Sequence, residues 1–196
     1  MDWIARLEAE TYSAEDAVPK SVLKEWYDHN PQGFFIIKRK GHRIGHVDVL
    51  PLRPATLETF CEGKILERDI PGTGLYTPAE RDSIRDLYVE SVIIQTPQGS
   101  PNIRAPAISY LLSNFTELVG AVCDPGKVES VYAIAASRAG ERLMLHLGFR
   151  KVKPASERTD GHDFFAAEFA HLAARLSRFS RKRFAADERL GMSEAG

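Results

Sequence analysis

The stretch ESVYAIAASRAGERLMLHLGF, residues 129–149, decides how this chain folds. Its first half is an apolar run ending at Ala135, of the kind that forms a buried strand over 128–135. Ala136 and Ser137 follow, and a helical pattern then occupies 138–147. Serine at 137 is well suited to cap that helix, because its hydroxyl can accept a first-turn N–H. Gly148 stands where a left-handed residue closes a helix, and Phe149 can pack back on the core. A strand thus passes into a helix with almost no loop. The small residues Ala135, Ala136 and Ser137 leave room beside the strand end for something to approach.

The preceding segment repeats this plan. LYVESVII (87–94) reads as a strand, QTPQGSPNIRAP (95–106) as a loop with three prolines, and Ala107 to Val122 as the clearest helix of the chain. Ile108, Leu111, Leu112, Phe115, Leu118, Val119 and Val122 give that helix its core-facing stripe. A loop entering a helix's first turn offers unpaired N–H groups and the positive end of the helix dipole, which together suit a phosphate.

Towards the N-terminus, Trp3, Ile4 and Leu7 mark one helix, and Val22, Leu23 and Trp26 mark a second that closes at Asn30-Pro31. GFFIIKRKGHRIGHVDVL is a hairpin turning at Lys40-Gly41. Gly45, Val47 and Val49 fall on one face of its second strand, and His46, Asp48 and Leu50 on the other. Thr56 is expected to cap a short helix bearing Leu57, Phe60 and Cys61, and TPAE (77–80) starts another with a capping box and a first-position proline. After 149 come a second hairpin and a tail with Leu172, Leu176 and Phe179 on one side and six Lys or Arg against two acids between 175 and 189. The order predicts an α/β mixed sheet with helices on its faces and a ligand site at a strand's carboxyl end.

Composition limits the classes open to it. At 196 residues and 43% apolar content, one domain with a substantial core is expected. A net charge of −1 gives no global field for nucleic acid or an anionic membrane. The two cysteines, Cys61 and Cys123, do not make a disulfide framework or a zinc site, and reduced thiols are expected. The opening MDWIARLEAE lacks a signal-peptide pattern and no apolar run could span a bilayer, so the expected compartment is the cytoplasm. His42 and His46 are four residues apart on a strand, roughly 13 Å, too far to share an ion, and no metal is expected.

Three segments together resemble the GNAT superfamily of acyl-CoA-dependent N-acetyltransferases. LYVESVII resembles its fourth strand, QTPQGSPNIRAPAISYLL its pyrophosphate loop and third helix, and VYAIAASRAGERLMLHLGF its fifth strand and fourth helix, ending on the family's frequent Leu147-Gly148-Phe149. The early hairpin is similar to the second and third strands, so the likeness covers roughly residues 1–170. It implies a GNAT-type domain over 1–170 followed by a basic amphipathic C-terminal helix or tail over 171–196. The sheet would be mostly antiparallel, with two parallel central strands that splay at their carboxyl ends. The pantetheine arm of acetyl-CoA, the cosubstrate, would enter that split beside Ser137.

The resemblance further implies that backbone groups at Val92, Ile93 and Ile94 hold the thioester and pantetheine. Gln98, Gly99, Asn102, Arg104 and Ala105 fall on the pyrophosphate loop. That loop departs from the family's glycine-rich pattern, and Pro97, Pro101 and Pro106 bring no N–H, although Pro106 suits a first helical position. A frequent family tyrosine, the general acid, falls on Met144, which has no proton to give. Glu90, at mid-strand, is the candidate general base. The segment 58–86, with seven acids against four bases, lies where the family builds its acceptor pocket and suits a cationic amine. The expected activity is acetyl transfer to a primary amine of a small molecule or protein. The rivals are a catalytically inactive relative that binds acyl-CoA or a partner protein, and an unrelated α/β nucleotide-binding module. A homodimer is left open.

Overall fold

The strand–helix unit at 129–149 is built as its residues dictate. In the computed structural model, which describes residues 1–95, 103–177 and 190–194, β4 spans Ser130–Ile134 and α5 spans Arg138–Leu147. Ser137 Oγ accepts the Gly140 N–H at 3.1 Å, as an N-cap should. Gly148 takes φ 94°, and the N–H groups of Gly148 and Phe149 bond to Leu145 and Met144, the paired closure of a Schellman end.

The first hairpin, β1 (Phe34–Arg39) and β2 (His42–Leu50), turns through Lys40 and Gly41, whose φ values of 50° and 81° are those a two-residue type I′ turn requires. Next to β2 runs β3 (Asp86–Ile94), antiparallel to it. Asp48 faces Ser91 but Val49 faces Val89, so Glu90 is the extra residue of a β-bulge. On its other side β3 pairs in parallel with β4 from Asp86–Ser130 to Val89–Ala133, and there the pairing stops. β3 continues along β2 to Ile94, so the carboxyl ends of β3 and β4 diverge. A bulge adds local twist to its strand, and this one sits where the parallel ladder ends.

With β5 (Arg150–Lys153), β6 (Phe164–Glu168) and β7 (Leu190–Glu194), the sheet has the order β5-β6-β4-β3-β2-β1-β7. Among the described residues β3–β4 is its only parallel pair. One face is covered by α4 (Arg104–Val122), α5 and α6 (Phe169–Leu176), which bury Leu111, Phe115, Val119, Leu147, Leu172 and Leu176 against Val47, Val49, Leu87 and Val131. The other face is covered by α1 (Asp2–Thr11), α2 (Lys20–His29) and α3 (Pro54–Cys61), with Ile4, Leu23, Trp26 and Phe60 against Phe34, Leu50, Tyr88 and Phe164. This is the α/β, mostly antiparallel sheet with splayed parallel central strands and helices on both faces that the sequence predicts.

Local differences have local causes. α3 starts at Pro54 after Arg53, so Thr56 lies inside the helix and caps nothing; the proline, with its fixed φ, takes the first turn. TPAE forms its capping box, but on a 3-10 helix (Pro78–Ser83). α4 begins at Arg104, so Pro106 is its third residue, still within the turn whose N–H groups need no intrahelical acceptor. Residues 190–194 pair antiparallel with β1 as the sheet's edge, while Phe179 lies outside the described residues. Cys61 and Cys123 are both free. Among the described residues no helix is long and apolar enough to cross a membrane.

Candidate active site

The diverging ends of β3 and β4 open a cavity of about 780 Å³. Val89 and Val92 border it from β3, and Ala133 to Ser137 from β4 and the turn into α5. One half is apolar, walled by Leu111, Phe115, Leu143, Met144, Leu147 and Leu172 beneath α4, α5 and α6. The other half is polar, walled by Glu8 of α1, Tyr12 just after it, Glu67, Tyr88, Glu90 and His162.

The polar half rests on a buried cluster of charges. His46 and Asp48 project from one face of β2, and both are 0% exposed. His46 Nε2 lies 3.0 Å from Glu8 Oε1, and its Nδ1 lies 3.2 Å from Asp48 Oδ2. Glu8, 1% exposed, also accepts from Ser91 Oγ at 2.7 Å, and the Ser91 hydroxyl is 3.3 Å from Tyr12. Tyr88 hydrogen-bonds Glu67. Burial alone would lower His46, but Asp48 and Glu8 outweigh it and raise the ring to about 9. Burial also raises Asp48, with His46 pulling it back, and raises Glu67 to about 8. Glu90 is raised well above the usual carboxyl range, by burial first and then by the charges of Glu8, Glu67 and Asp48.

Glu8, His46 and Asp48 bring three donor atoms within 4.8 Å of one another. The ring, however, gives a different nitrogen to each carboxylate. That is the geometry of an ion-paired imidazolium rather than of three ligands converging on one ion.

No protein-family model and no curated protein matches the sequence. Solved structures do match the fold. The GphF GNAT-like decarboxylase in complex with isobutyryl-CoA aligns with a TM-score of 0.55 at 15% identity, over 86% of this chain and 94% of that one. The loading GNATL domain of CurA from Lyngbya majuscula gives 0.55 at 14%, over 85% and 91%. A structure described as a phosphinothricin N-acetyltransferase gives 0.51 at 13%, over 85% and 90%. The chain has the GNAT fold.

On the GNAT fold, the residues expected from sequence distribute unevenly. Glu90, Val92, Arg104 and Ser137 line the cavity. Ile93 and Ile94 are buried in the β2–β3 ladder opposite His46 and Gly45, away from it. Ala105 sits exposed in the first turn of α4. Gln98, Gly99 and Asn102 lie outside the described residues. Met144 borders the apolar half and is buried. A CoA thioester fits what remains: among the described residues no side chain caps α4, whose first-turn N–H groups at Arg104 and Ala105 can receive an anion, with the Arg104 charge beside them.

Sequence reasoning missed Glu8, Tyr12, Asp48, His46 and Glu67. A signal existed for two of them. His46 and Asp48 alternate with Val47 and Val49 in a strand that is apolar on both sides of them, and paired polar residues in such a run ask for a partner.

Proposed function

We propose that this chain transfers an acyl group from a CoA thioester, acetyl-CoA in the first instance, to a primary amine of a small molecule or protein. The observation that carries the reading is the position of Glu90. The bulge sets this carboxyl at the polar side of the split, in a cavity continuous with the α4 and α5 N-termini. Attack on a thioester requires an unprotonated amine, and a carboxyl raised by burial and neighbouring acids is matched to taking a proton from an ammonium group. Glu8, Glu67, Glu90 and Asp160 also line the polar wall with carboxyl oxygens that can accept hydrogen bonds from an ammonium group.

Met144 at the position of the family's acid favours a second reading, in which the chain binds an acyl-CoA or a partner without turnover. One experiment separates the two. Calorimetric titration with acetyl-CoA and desulfo-CoA is followed by an amine-library screen for free thiol release. Binding with thiol release supports the transferase, and binding without release for every amine supports the second reading. No heat and no thermal shift at millimolar acetyl-CoA removes both.

A further inference from the structure

We propose that Asp48 and His46 are positioning residues for Glu90: Asp48 shares one proton with it, and His46, held between Asp48 and Glu8, keeps the pair at a single proton. The kinetic part of this inference rests on the acyltransferase reading; the spectroscopic part does not.

Burial and charge at this place in the sheet call for such an arrangement. A histidine ring with a carboxylate oxygen 3.0 and 3.2 Å from its two nitrogens lies buried between two negative charges, and that field, rather than well-aligned hydrogen bonds, favours the imidazolium. Around it, Glu8 and Asp48 are almost wholly buried, and the bulge places Glu90 next to Asp48. Three carboxylates and one cation in a dry site leave an excess of two negative charges, which burial penalises heavily. One proton shared by Glu90 and Asp48 removes half of that excess. Glu8 remains the second partner of His46 and the acceptor of Ser91. Glu90 Oε2, both Asp48 oxygens and both His46 nitrogens complete no hydrogen bond of good geometry, so charge and burial hold the cluster and the pair has acceptor capacity left for a proton arriving from the cavity.

The groups that face the pair come from every element packed on it. They are Glu8 from α1 and Tyr12 just after it, His46 from β2, Glu67 from the 3-10 turn that follows α3, Tyr88 from β3, and Arg158 and Asp160 beyond Glu67. All but His46 and Arg158 are acids, so His46 is the cation in direct contact. In the transfer step an ammonium substrate gives one proton to the pair, which then holds two. The neutral amine forms the C–N bond as the C–S bond breaks. The nitrogen's second proton ends on the thiolate sulfur, and the pair returns its extra proton to solvent.

His46 and Asp48 therefore act on Glu90 in different ways. His46→Gln removes the positive neighbour and should move the acidic limb of the kcat/KM–pH profile to higher pH by about one unit or more, tenfold in rate on the limb. Asp48→Asn leaves Glu90 beside a neighbour that is always uncharged, as Asp48 is while it carries the shared proton, so the limb, which reports uptake of the second proton, should stay within about half a unit. A loss of packing would slow both variants without this split. A limb that stays fixed in His46→Gln, or that falls by about a unit or more in Asp48→Asn, as it would beside an ionised Asp48, overturns the proposal. On the wild-type protein, ¹⁵N spectra of the histidine ring should show both His46 nitrogens protonated at about pH 7, and ¹³C carboxyl titration should show Glu90 and Asp48 taking up protons in two coupled steps. A neutral His46 tautomer, or two independent ordinary carboxyl titrations, overturns it even where no amine is turned over. Those spectra also decide the matter if a single variant does not fold.

Discussion

Seen from the split between β3 and β4, one half of the cavity is walled by Leu111, Phe115, Leu143 and Leu147, and the other by Glu8, Glu67 and Glu90. The two halves share the same strands, but their side chains come from different parts of the chain. The apolar half draws on the contiguous stretch 104–149 with α6, where each side chain belongs to a helical stripe. The polar half joins α1, β2, the turn at Glu67 and the bulge of β3. The first half is stabilised by burial of apolar surface and tolerates conservative exchange. In the second, each buried charge depends on a partner from another element, as His46 does on Glu8. The contrast suggests a division of labour: the apolar half seats the thioester arm and the polar half manages protons.

The strongest test of that division is Glu90→Gln. Turnover of an identified amine should fall roughly 10²–10⁴-fold, the usual worth of general base catalysis, while acetyl-CoA affinity stays near wild type. Affinity and turnover falling together would show that the halves are not separable. Next in size is Ala135→Trp, which places a large ring in the opening between β4 and α5. Acetyl-CoA affinity, read by calorimetry, should weaken by at least about tenfold, or about 1.4 kcal/mol, in a protein that still folds. Unchanged affinity would move the thioester arm out of the split.

A third measurement separates the halves by pH. Glu67 is raised to about 8 and His46 to about 9, so in both cases the native state holds its proton more tightly than the unfolded chain. Their contribution to stability is complete below the ordinary carboxyl and imidazole values, 4.5 and 6.5. It is lost as pH rises through about 8 and about 9. The melting temperature should therefore fall across that range, and Glu67→Gln should flatten the lower part of the fall. A flat profile in the wild type would mean that the acid cluster is solvated. The smallest effect is expected from Ser137→Ala, which removes the cap bond to Gly140. It should cost about 1 kcal/mol, or about 2–4 °C in melting temperature, with little change in turnover. A large loss of acetyl-CoA affinity instead would make the hydroxyl a ligand contact as well as a cap.

How much of this was legible in sequence follows the same division. α5 was readable to the residue, since Ser137, Gly148 and Phe149 act on groups within five positions of themselves. The stripe of α4 was readable because helical periodicity is a local property. Thr56 was misread as a cap, because a serine or threonine near a helix start signals a cap only if the helix begins beside it, and Pro54 claimed the start. Ile93 and Ile94 are assigned to the cofactor through their backbone groups by strand position alone, and the ladder with β2 adds only that their side chains are buried.

The sequence by itself determined the order of elements, the strand-to-helix junction of small residues and the presence of a carboxylate at mid-strand in β3, since each depends on neighbours along the chain. Only the tertiary structure decided that Glu90 is a bulge residue, because a bulge is a mismatch between two strands and exists in neither alone. It also decided that Glu8, 82 residues before Glu90, sits over His46, Asp48 and Ser91 on the sheet. Burial and charge proximity are properties of folded space, so the protonation of that cluster is written in no single segment.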